Sequence, residues 1–152
     1  MTPFFQFETD FVEALRCIPM VVRFKLDTCG VKLKLHHWNQ FNLAERQQLV
    51  EAPCDTPESI AAYRALVHQQ VLRYDAVPPK DLPVPDPLPW QGVTAVPQQV
   101  QDQAQALGLS VSLAQWQGLN ALQRFALLKL SQPGHENRNF RPAYQEFALE
   151  DR

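Results

Sequence analysis

The sequence predicts a mainly α-helical fold. It reads as one domain spanning 1–152, made of two similar helical units, 18–75 and 96–148, joined by a proline-rich connector, 76–95. Three observations carry this reading. Leu35, Trp38, Asn42, Arg46 and Leu49 return as Leu113, Trp116, Asn120, Arg124 and Leu127, each 78 residues later. Helix-capping signals stand at matching places in both halves. Seven of the 13 prolines crowd between Pro78 and Pro97, where regular helix cannot continue.

Taken in order, an initial helix is expected from Asp10 to about Cys17, capped by Asp10 and Glu13 and separated from the next by Pro19. Pro19 and Pro97 then suit helix starts, because a first-turn proline lacks only an amide that would be unpaired anyway. Gly30 and Gly108 suit the ends, where a residue past the last turn adopts left-handed φ. Helices over 19–29 and 97–107 follow. "VKLKL" (31–35) and "LSVSL" (109–113) alternate apolar and polar residues with the period of a half-buried strand. The two segments are able to pair as a short two-stranded ribbon between the units, although such a ribbon is marginal unless helices cover it.

Asn42-Leu-Ala-Glu45 and Asn120-Ala-Leu-Gln123 have the form of capping boxes, opening helices over 43–51 and 121–130. Asp55-Thr56-Pro57-Glu58 opens a longer helix to about Tyr74, with Ile60, Tyr63, Val67, Val71 and Tyr74 on one face. Its counterpart is "NRNFRPAYQEFALE". Between the units, Leu82, Val84, Leu88 and Trp90 imply that the connector packs against the body in extended form.

Composition narrows the function. The chain is 45% hydrophobic and 20% charged, with a formal net charge of −2 and no block of basic residues. That disfavours nucleic-acid binding, which needs clustered Lys and Arg. No apolar run approaches a membrane span, and the N-terminal stretch lacks the pattern of a secretory signal. Cys17, Cys29 and Cys54 lack metal-finger or CxxC spacing and read as reduced thiols of a cytoplasmic protein.

Most of the distinctive residues have structural readings. Trp38 and Trp116 suit core anchors with one partner for each indole N–H. Arg46 and Arg124 suit structural guanidinium groups that bind a nearby carbonyl or carboxylate in both copies, since a catalytic role seldom needs two copies. Asn42, Asn120, Gly30 and Gly108 shape helix ends. Cys54 precedes a helix N-terminus, where the dipole lowers a thiol pKa, making it the candidate reactive thiol. His36 and His37, if they continue a strand, face opposite ways, so no metal site is assigned there. No catalytic set is visible, and no cofactor is assigned. "SQPGHENRNFRPAY" is dense in hydrogen-bonding groups without an apolar period. Its His135, Arg138 and Arg141 are candidate partner contacts, with Trp90 as an exposed anchor in the connector.

The segments "FFQFETDFVEALRCIPMVVRFKLDTCGVKLKL", "LQRFALLKLS" and "HENRNF" resemble the nitrate reductase-associated protein family of cyanobacteria and some algae. The similarity covers almost the whole chain. It implies an accessory role beside the assimilatory, ferredoxin-dependent nitrate reductase, a molybdenum bis-pterin and iron–sulfur enzyme. It implies no catalytic residues. The leading expectation is a non-enzymatic accessory or maturation factor that binds the reductase by protein–protein contact. It would support cofactor insertion or stabilise the mature enzyme. The alternative is a carrier of an iron–sulfur cluster or a molybdopterin dinucleotide for that enzyme. An independent hydrolase or redox enzyme has the least support.

Overall fold

The computed structural model describes residues 4–12, 15–147 and 149; the side chains at 10, 11, 135 and 136 fall outside that description. Two compact units emerge. One comprises Phe4 with Glu8–Pro85, the other Phe5–Phe7 with the described residues from Asp86 on. The division falls inside the proline-rich stretch.

The first unit contains helices α1 (Thr9–Val12), α2 (Met20–Cys29), α3 (Leu35–Gln40), α4 (Leu43–Glu51) and α5 (Pro57–Leu72). Two short strands, β1 (Val31–Lys32) and β2 (Lys80–Asp81), complete it. α2 packs on α4 and α5, and α4 packs on α5. Tyr63, Val67 and Val71, spaced four apart on α5, are 1% exposed or less. They meet a core that includes the fully buried Val22, Trp38 and Leu49. Tyr74, expected on the same face, lies past the end of α5 and is 42% exposed. Glu13, expected to cap the first helix, lies outside the described residues, as does the side chain of Asp10.

Local chemistry explains most helix boundaries here. Asn42 Oδ1 accepts the Glu45 N–H at 2.8 Å, and Glu45 Oε1 accepts the Asn42 N–H at 2.9 Å. Thr56 Oγ1 accepts the Ser59 N–H at 3.1 Å, with Pro57 as the first residue of α5. α2 differs, because the residue before it, Pro19, has no side-chain acceptor. Glu8, buried and earlier in the chain, accepts the Met20 N–H at 3.0 Å and caps that helix from a distance. At the other end of α2, Gly30 takes φ of 78° and donates its N–H to Leu26 O.

The second unit contains α6 (Gln98–Ala106), α7 (Leu113–Gly118) and α8 (Ala121–Leu130). A 3₁₀ turn (His135–Asn139) and α9 (Phe140–Glu146) follow. α8 packs on α6 and α9, and its Phe125, Ala126, Leu127 and Leu130 are at most 1% exposed. Ser112 and Asn120 cap α7 and α8, each completing a reciprocal box with the glutamine three residues on. Phe5, Phe7 and Phe147 form an aromatic cluster, and Glu146 accepts the Phe7 N–H at 2.9 Å.

Three expectations are corrected. First, β1 pairs antiparallel with β2, Val31 opposite Asp81 and Lys32 opposite Lys80, and 109–113 forms no strand. Two residues of alternation are all that survive: Val31 and Lys32 find a partner strand, while 33–34 and 109–112 are neither strand nor helix and α3 and α7 begin at the last residue of each segment. The partner strand comes from the proline-rich stretch, at Lys80–Asp81, between its prolines. Second, Trp38 and Trp116 therefore sit on the short helices α3 and α7. Third, Trp90 is only 6% exposed, its ring edge-on to Phe125 at 5.0 Å, so it is not an exposed anchor. An indole beside an apolar helix gains more from burial than from exposure.

Gly30 is under tighter constraint than Gly108. Both have positive φ, 78° and 73°. A Cβ at Gly30 would lie 2.6 Å from Val84 Cγ2 and 2.9 Å from Leu82 O, whereas one at Gly108 would meet nothing within 4 Å. Gly108→Ala should destabilise by about 1–2 kcal/mol through left-handed strain alone. Gly30→Ala should cost about 1–3 kcal/mol more, as overpacking displaces the chain after β2. Urea unfolding of both variants checks this: equal losses would show that the contacts of Gly30 do not matter.

Candidate functional site

α4 begins with a carboxylate that does more than complete its cap. Glu45 is 5% exposed. Its Oε1 accepts from the Asn42 N–H and, at 2.5 Å, from the Tyr74 hydroxyl; its Oε2 accepts from Arg73 Nη1 at 2.9 Å. Burial pushes its pKa up, but the hydrogen bonds from Tyr74, Asn42 and Arg73 outweigh that, and the carboxyl titrates below its ordinary range. The same bond raises the Tyr74 phenol, since ionisation there would face a carboxylate. Tyr74 also lies with its ring 6.1 Å from Phe41. Beneath this frame, the buried Gln70 donates to Glu45 O and to Gln48 Oε1, at 3.2 and 3.1 Å.

Asp75 continues the frame to α3. Its carboxylate lies 4.0 Å from His36 Nε2 and 3.8 Å from His37 Nε2, and the two rings are 4.2 Å apart. The histidines sit in the first turn of a helix, so the strand argument that kept them apart does not hold. Their donor atoms and that of Asp75 fall within 4.8 Å of one another. The chemistry at His37 nevertheless disfavours a metal. Its Nδ1 accepts the Lys34 N–H at 3.1 Å, which leaves the ring proton of the neutral form on Nε2, facing Asp75. Coordination through Nε2 would put the proton on Nδ1 and break that cap. Burial, reinforced by His36, keeps the His37 pKa below its usual value against the pull of Asp75. His37 thus completes a cap for α3 as Glu45 does for α4.

Exposed apolar side chains border this frame. Leu35, Leu43, Tyr74 and Val77 are 56%, 61%, 42% and 65% exposed. Each belongs to the frame or lies within two residues of His36, Glu45 or Asp75. Sequence reasoning found Asn42 and Glu45 through their cap signal. It did not single out Asp75, Arg73, Leu43 or Val77, and nothing local distinguishes them from ordinary surface or core residues.

The other sequence candidates are placed as follows. Trp38 and Trp116 are fully buried, and their indoles donate to Leu15 O at 2.7 Å and Gly92 O at 2.8 Å. Arg46 donates to Trp38 O, Leu15 O and Asn39 O. Arg124 donates to Trp90 O at 2.6 Å and to Leu119 O. Arg141 is exposed but donates to Leu107 O at 2.7 Å, while Arg138 is exposed and the His135 side chain lies outside the described residues. Cys54 is 6% exposed, and its thiol donates to Lys25 O at 3.6 Å. The Cys29 thiol, and after it the Lys25 ammonium, lower its pKa against burial. Among the described residues, no helix is long and apolar enough to cross a membrane.

Fold and site together define a mainly α-helical protein with apolar side chains exposed around a hydrogen-bonded frame. The chain belongs to the family of conserved nitrate reductase-associated proteins, whose family model matches residues 4–147. No curated protein and no solved structure matches it.

Proposed function

We propose that this protein is an accessory factor that binds nitrate reductase by direct protein–protein contact and supports its activity. The contact surface in this reading is formed by the start of α3, the start of α4 and the residues after α5. One observation supports it: Leu35, Leu43, Tyr74 and Val77 stand exposed around side chains already held by hydrogen bonds. Apolar groups on a fixed frame bind with little loss of side-chain entropy, and aromatic residues are common anchors in such patches. Binding one state of the reductase selectively would shift its population without chemistry in the smaller protein.

Co-purification tests the reading. The protein is mixed with reductase prepared with and without its molybdenum cofactor. Preference for the cofactor-free form would indicate a role in insertion, and equal or stronger binding to the loaded form a stabilising role. The double variant Leu43→Glu/Val77→Glu should weaken association at least ~10-fold, since each change puts a charge into the apolar contact. Retained circular dichroism would show that the fold survives. Arg138→Glu is the companion test of the polar segment. If it alone abolishes binding, the contact lies there and not around Glu45. No association of the unaltered protein with either form would reject the proposal.

A further inference from the structure

Cys29 and Cys54 are 25 positions apart in sequence, yet both thiols lie on the same turn of α2, donating to adjacent carbonyls, Cys29 Sγ to Leu26 O and Cys54 Sγ to Lys25 O, at 3.6 Å each. The geometry of α2 explains why. Lys25 and Cys29 lie one turn apart on the same helical face. The carbonyl of Lys25 is the one that the Cys29 amide reaches in a regular helix. Cys54 Sγ lies 3.6 Å from that carbonyl oxygen, which brings it against the turn carrying Cys29. The segment bearing Cys54 is held there by Lys25, whose ammonium donates to Val50 O at 2.7 Å and Ala52 O at 2.6 Å. Both thiols are 6% exposed, but Pro53 and Asp55 on either side of Cys54 are solvent-exposed. A small opening of this connector between α4 and α5 would uncover Cys54, not Cys29.

We infer that Cys29 and Cys54 are a reversible dithiol–disulfide site, with Cys54 the attacking thiol and Cys29 the resolving one. The oxidant is a low-molecular-weight disulfide. The Cys54 thiolate attacks one sulfur of that disulfide, forming a mixed disulfide and expelling one thiolate. Cys29 then loses its proton and attacks the Cys54 sulfur, forming the Cys29–Cys54 bond and expelling the second thiolate. The two protein thiols lose two electrons and two protons, and the small disulfide becomes two small thiols. The assignment of roles follows from surroundings. The neighbouring Cys29 thiol and the Lys25 ammonium push the Cys54 thiol down against burial, while Cys54 and burial push the Cys29 thiol up. The new bond would close a loop containing α3 and α4. The inference stands whether or not those helices contact the reductase.

Equilibrating the full-length folded protein with oxidised and reduced glutathione, then mapping acid-quenched peptides by mass, tests this. The expected product is a single Cys29–Cys54 cross-linked peptide, with Cys17 outside it, reversed by reduced glutathione. Closing this loop should raise the thermal midpoint by roughly 5–10 °C. Cys29→Ser should stall at a glutathione adduct on Cys54, whereas Cys54→Ser should leave Cys29 largely unmodified. Four results would overturn the inference: no cross-link under oxidising buffer, a cross-link through Cys17, a cross-link appearing only in denaturant, or an adduct on Cys29 in preference to Cys54.

Discussion

Replacing Trp38 by alanine should destabilise the first unit by about 3–5 kcal/mol, the range for deleting a buried large aromatic. The ring is fully buried, and Phe41 packs edge-on at 6.4 Å. The Arg46 guanidinium lies over its face at 5.7 Å. The indole also closes a hydrogen-bonded joint. Leu15, whose φ of 57° is unusual for a leucine, offers its carbonyl to both Trp38 Nε1 and Arg46 Nη1. Loss of the ring therefore opens a cavity and leaves a strained turn with one donor in place of two. Trp38→Phe separates the two effects. It keeps most of the apolar volume and removes the N–H, so its loss should be nearer 1–2 kcal/mol. Urea unfolding followed by far-ultraviolet circular dichroism measures both. Equal losses would mean that the hydrogen bond, and not the volume, dominates.

Glu45→Ala should cost about 2–4 kcal/mol, because the Asn42 N–H, the Tyr74 hydroxyl and Arg73 all lose an acceptor. The Arg73 bond contributes least, since that side chain is half in water. This loss should depend on pH. The carboxyl titrates lower in the folded chain than in the unfolded one, where an ordinary glutamate has a pKa of about 4.3. Below its unfolded pKa the unfolded state binds more protons than the folded state does. The contribution of Glu45 is thus complete above about pH 4.3 and fades as pH falls through the folded value. The gap between the unaltered protein and the variant should therefore narrow on acidification below pH ~4. A gap independent of pH from 3 to 7, taken as roughly the span around that value, would show that the charge of Glu45 is immaterial.

What was readable in the sequence has a common physical origin. α4 and α8 begin at Leu43 and Ala121, as the caps Asn42 and Asn120 predict, because a capping box is settled within four residues. The helix after Thr56-Pro57 and the left-handed φ of Gly30 and Gly108 are equally local. The predicted mainly α-helical class follows from such signals. The strands failed for the same reason in reverse. Alternation makes a strand only where another strand pairs with it, and 33–34 and 109–112 stay neither strand nor helix up to the helix starts at Leu35 and Leu113. Only contact with Lys80–Asp81 keeps Val31 and Lys32 extended.

By itself, then, the sequence determined the helical class, most helix starts, the glycine-ended helix α2 and the family to which the chain belongs. The tertiary structure decided what no short window contains. It placed Tyr74 and Arg73 on Glu45, and Asp75 beside His36 and His37. It gave α2 a cap from Glu8, buried Trp90, and set Cys54 against Cys29. Each of these contacts joins groups remote along the chain or turns on how a surface packs, and pairings of that kind leave no periodicity for local reading to find. Caps and glycine turns are legible because their partners lie within one turn of the backbone; the candidate site is not, because its partners meet only when the helices pack.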